Sequence, residues 1–167
     1  MIPTVAPGNT YQGLGYYRST GYGPTSRKLS DILFWEGKCL FQLSVSLRAK
    51  FETACDLSEM YKNCSMANWD GEGAEAISEP AYLEAARFIR LLPVAFPMPE
   101  LTPEPNGQIG FEWHLRRDYM FVVAVGGNQL LTFAGLFGPD SSVHGTEPFS
   151  DSLPESIVGH LQRLFSK

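Results

Sequence analysis

Three places in this 167-residue chain hold residue types that could do chemistry. The first is the run Asn68-Trp69-Asp70-Gly71-Glu72-Gly73-Ala74, with Glu75 behind it. A carboxylate there could serve as a general base or a cation ligand. A calcium loop, however, alternates oxygen donors over about a dozen residues and closes on a bidentate Glu, a spacing that Asn68, Asp70, Glu72 and Glu75 match poorly. Turn chemistry is the simpler reading. Asp70 caps the turn, Gly71 and Gly73 supply backbone conformations that a Cβ forbids, and Trp69 plugs the core. The second place is Glu112 and His114, side by side on one face of a strand between Phe111, Trp113 and Leu115. On an open face they would form an acid–base or metal-binding pair, or would merely keep that face soluble. The third is His144, followed by Gly145 in an expected loop, where reactive side chains often stand. His160 falls on the last helix and is read as exposed. A small hydrolase or metal-dependent enzyme would need Asp70, Glu112, His114 and His144 in one pocket.

Motifs of activated nucleophiles and phosphate cradles are missing: the chain has no GxSxG, P-loop, GxGxxG or HExxH sequence. Cys39, Cys55 and Cys64 form an odd set without CxxC spacing, and no His lies close enough in sequence to complete a zinc set. Reduced thiols are therefore expected. No catalytic residue, metal or cofactor is assigned from the sequence.

Composition narrows the partners. Hydrophobic residues make up 44% and charged ones 19%, which places the chain with globular proteins. A net charge of -5 disfavours nucleic acid, whose binding needs clustered Lys and Arg, and is compatible with a basic protein partner. The first residues have neither a positive n-region nor an apolar h-region, and the longest apolar run, residues 119–125, is too short to span a membrane. A cytoplasmic protein without a membrane partner is expected.

The elements that would position these residues follow from periodicity. Residues 1–28 are rich in Gly, Tyr, Ser, Thr and Pro without helical or strand period, which predicts an irregular arm. Tyr11, Tyr16, Tyr17, Arg18 and Tyr22 in it offer a contact surface, since Tyr gives large area at low rotamer cost. The remainder, 29–167, reads as one domain. Ser30 suits an N-cap, and Leu40, Leu43, Leu47, Phe51, Ala54, Leu57 and Tyr61 form one apolar helical stripe, with a break expected near Gly37. Ser78, Glu79 and Pro80 open a second helix that ends at Leu92-Pro93, and Pro97, Pro99, Pro103 and Pro105 impose an extended connection. Ile109–Leu115, Tyr119–Val125 and Gln129–Phe137 then predict three strands joined by short turns, and Leu153–Phe165 a final helix. The expected architecture is α+β: a three-stranded antiparallel meander with three helices packed on it and an irregular N-terminal arm.

The order Asn68-Trp69-Asp70-Gly71, Leu92-Pro93, Pro97, Pro99, Pro103, Gly107, Ile109 and Phe111-Glu112-Trp113 resembles a widespread group of small bacterial proteins. These carry an N/GWDG-x-G-A motif, an LP–P–P connector and a G-x-I-x-F-E-W strand. The resemblance covers roughly residues 66–165 and implies a structural motif at Trp69, Asp70, Gly71, Gly73 and Trp113. Glu72 departs from it, since an aromatic is common there. The group implies no activity, only a setting among mobile-element and defence genes. The resulting expectation is a non-enzymatic, protein-binding regulator of antitoxin, immunity or inhibitor type, with a homodimer as a further option.

Overall fold

A computed structural model describes residues 24–166, with side chains described at 37, 38, 40, 41 and 43–166. Tyr11, Tyr16, Tyr17, Arg18 and Tyr22 lie outside the described residues. The chain divides into two units, Met1–Leu40 and Phe41–Lys167. Of the first, helical backbone is described from Pro24 onward, with side chains at 37, 38 and 40.

Helix α1 runs from Pro24 to Cys64 as one continuous element. It therefore starts ahead of Ser30, takes in the last residues of the expected arm, and passes through Gly37 without a break. Glycine lowers helix propensity by only about 1 kcal/mol, too little to interrupt a helix of this length. Helix α2, Glu79–Leu91, starts where the sequence predicts. The Ser78 hydroxyl accepts a hydrogen bond from the Ala81 N–H at 3.2 Å and Pro80 sits in the first turn. Its inner stripe is Ala81, Glu84, Ala85, Phe88 and Ile89. Lys50 of α1 donates to the carbonyls of Arg90 (2.9 Å) and Leu92 (2.5 Å), which places a cation on carbonyls left over at the end of α2. Tyr61 stacks on Tyr82 at 4.7 Å, so the second half of α1 packs along α2.

The sheet has five antiparallel strands in chain order, and the expected three-stranded meander is corrected accordingly. Strands β2 (Ile109–Arg116), β3 (Tyr119–Val125) and β4 (Leu130–Phe137) are the three that the alternation shows. The two added strands form the edges. Strand β1, Glu100–Pro103, lies inside the proline-rich connection. Its pattern is hidden by its brevity and by Pro103, a residue that an edge strand tolerates. Strand β5, Ser142–Pro148, contains His144 and Gly145 where a loop is expected. It alternates half-buried and exposed residues but offers only Val143 as an aliphatic side chain, so its apolar signal is faint.

Helix α3, Glu155–Phe165, and α2 cover one face of the sheet. The core between them is largely aromatic. Phe88 meets Phe111 at 4.4 Å, Phe149 at 6.0 Å and Trp113 at 6.4 Å between ring centroids. Aromatic pairs at such distances add about 0.5–1.5 kcal/mol each to the burial of their area. His160 is not exposed, as its polarity suggests, but half-buried among Phe121, Phe133 and Phe137 at 5.4–5.7 Å. The reason is register on α3: His160 lies next to the buried turn positions Ile157, Leu161 and Leu164. Burial, and secondarily the charge of Arg163, lowers its pKa.

The β3–β4 turn is held against α2. Gly127, at φ +79°, comes so close that a Cβ there would lie 2.6 Å from the Ala81 nitrogen. Its own N–H donates to Glu84 Oε2 at 2.6 Å. Among the described residues no helix is long and apolar enough to cross a membrane.

Candidate functional site

The Asp70 loop closes on itself. Asp70 Oδ1 accepts from the N–H groups of Glu72 (2.8 Å) and Ala74 (3.0 Å), and Asn68 Oδ1 accepts from Gly73 at 2.8 Å. Those backbone donors, Glu72 first and Ala74 next, hold the Asp70 carboxyl below the usual carboxylate range. Gly71 and Gly73 have φ of +79° and +99°, a region that side chains disfavour. Trp69 is half-buried against the core and its indole N–H donates to the Glu75 carbonyl at 3.0 Å. The Oδ1 atom of Asp70 thus serves its own loop.

The opposite face of the sheet is not covered by α2 or α3, and its residues stand in rows. One row crosses all five strands: Glu100, Glu112, Val122, Ala134 and His144. Along it Glu112 and His144 are three strands apart, about 14 Å at the usual strand spacing. Glu112 and His114 do meet, with Oε2 and Nε2 2.7 Å apart. The Glu112 carboxyl is lowered by the hydrogen bond from His114, with a smaller contribution from the Thr102 hydroxyl, against the opposing effect of burial. So the structure brings together two of the four residues that the enzyme reading requires, and spends Asp70 elsewhere. Among the described residues, no group of three or more His, Cys, Asp and Glu could hold a metal ion. Of the cysteines, Cys55 is exposed and Cys64 buried, and burial raises the Cys64 thiol.

At the edge of this face lies a cleft of about 280 Å³, bounded by Pro97, Met98, Glu100, Glu112, His114 and Phe165 among others. It forms just ahead of β1. Glu100, the first residue of β1, pairs with Glu112, so the outer edge of β2 beyond that point has no strand beside it. Trp113 anchors the segment that walls the cleft, because its indole donates to the Pro97 carbonyl at 2.9 Å.

A second open surface is the first described part of α1. Phe41 is 70% exposed, Leu47 56% and Phe51 70%, and Leu43 and Val45 are exposed with them. Less than two turns beyond Phe51, Leu57 of the same stripe is wholly buried. Arg48 and Glu52 flank the exposed part and pair with each other at 2.8 Å. The expected stripe is therefore one pattern serving two environments.

Sequence reading missed Glu84 and Glu100. For Glu84 a signal existed, since a carboxylate at that position interrupts the Ala81, Ala85, Phe88 stripe and requires a buried partner. For Glu100 there was none, because its strand was not recognised. Comparison of the chain with protein families, with curated proteins and with solved structures returns no match in any of the three.

Proposed function

We propose that this chain is a protein-binding regulator rather than an enzyme, and that it works by docking. The observation that carries this reading is the run of exposed apolar side chains on α1, Phe41, Leu43, Val45, Leu47 and Phe51. Leu43, Leu47 and Phe51, four residues apart, share one helical face, and exposed apolar faces of this kind mark interaction surfaces. The separation of His144 from the Glu112–His114 pair and the engagement of Asp70 within its own loop support it, since acid–base or metal chemistry needs those groups together. The finer assignment, a cytoplasmic antitoxin, immunity or inhibitor protein from a mobile-element or defence setting, rests on the resemblance of the Asn68–Trp113 motifs alone. The aromatic arm, through Tyr11, Tyr16, Tyr17, Arg18 and Tyr22, would add contacts.

Affinity capture of the tagged full-length chain from its native host tests the reading. One partner at fixed stoichiometry, or the chain itself as a dimer, is the expected result. Recovery of the monomer alone would remove the proposal.

A further inference from the structure

We propose that the cleft beside β2 is a socket for one cationic side chain, a lysine or arginine, presented by the protein partner. The inference rests on the protein-binding reading above and adds the chemistry of what is bound.

Glu100 and Glu112 face each other across β1 and β2. Like charges directly opposite on neighbouring strands destabilise a sheet. Glu112 has a hydrogen-bond partner in His114 at 2.7 Å, whereas Glu100 makes no ion pair among the described residues. Among the described residues no group that could hold a metal ion is found, and both carboxylates border the same cleft. Two carboxylates on one open cleft suit an organic cation, which needs no closed coordination shell.

The rest of the lining fits the stem of such a side chain. Pro97, Met98, Leu115 and Phe165 form an apolar wall next to the carboxylates. Lys and Arg lay their methylenes along surfaces of that kind while the charged head reaches polar partners. Size points the same way. At about 280 Å³ the cleft falls just under the ~300–1,000 Å³ of typical small-molecule sites, and a single anchoring side chain is how a protein partner fills a pocket of this order. The net charge of -5 favours approach of a basic segment. Beyond Glu112, alternate residues of β2 also direct backbone N–H and C=O groups away from β3, so an extended segment carrying the cation could lie along that edge.

The test is an NMR titration of the full chain with Nα-acetyl-arginine methylamide and its lysine counterpart, using the uncharged citrulline analogue as control. The expected result is saturable movement of the Trp113 indole and of the Glu112 and His114 amides, with a dissociation constant on the order of millimolar, as suits one side chain. Binding should weaken at least tenfold in the Glu100→Gln, Glu112→Gln double variant. Because Glu100 is exposed, Glu100→Gln alone should fold normally and weaken binding severalfold. No saturable shift with either cation, equal shifts with citrulline, or unchanged affinity in Glu100→Gln would each overturn the socket. A partner captured equally well by the double variant would also overturn it and leave the protein-binding reading standing. Cation binding without any captured partner would keep the socket and remove that reading.

Discussion

The two halves of the 41–64 stretch of α1 carry the same kind of stripe and meet different fates. From Leu57 to Cys64 the stripe meets the core: Leu57 is fully buried, Cys64 nearly so, and Tyr61 stacks on Tyr82 of α2. From Phe41 to Phe51 it is open, while Lys50 and Ser46 on its polar side reach backbone carbonyls at and just beyond the end of α2. Leucine at helical spacing records that something apolar must cover a face. It does not record whether the cover is the same chain or another molecule.

Identical substitutions on the two halves expose that difference most strongly. Leu57→Ala should cost about 2–5 kcal/mol in urea unfolding, as for other fully buried leucines. Leu47→Ala should change stability by less than about 0.5 kcal/mol, as for other exposed positions. Equal losses at both positions would show that the open half is covered within the monomer.

A second prediction sharpens the packed side. Gly127→Ala should destabilise by about 1–3 kcal/mol, because the new methyl meets the α2 backbone and φ is positive. The accompanying loss should include the Glu84 contact, visible as a shift of the Gly127 amide signal.

The smallest effect concerns pH. His160 has a lowered pKa because its aromatic surroundings disfavour the charged form. The unfolded chain then takes up a proton more readily than the native one. The stability this gives is present above the unfolded value of about 6.5 and is lost as pH falls through the lower native value. His160→Leu should flatten the fall in thermal midpoint between neutral pH and pH 5, by a few degrees at most. A midpoint with the same slope in the variant would assign the dependence to other groups.

Much of this was readable from sequence where local pattern and tertiary need coincide. The α2 start at Ser78, the alternating β2, the central β3 and the turn chemistry at Asp70 all follow from short-range rules. What escaped lies at long range or at edges. The hydrogen bond between Glu84 and Gly127 joins residues 43 apart, and the facing of Glu100 and Glu112 depends on an edge strand four residues long. Strand β5 escaped because an edge strand with one open face needs little hydrophobic signal. His160 escaped because an imidazole tolerates an aromatic cage that a charged side chain would not.

The most direct measurement of the central claim pairs stability with capture in one variant. Leu47→Asp with Phe51→Asp on the full-length chain should keep the wild-type urea midpoint, because both positions are exposed, and should lose the captured partner or the dimer altogether. A variant that unfolds, or one that keeps both its midpoint and its partner, would contradict the assignment of this half of α1 as the docking surface.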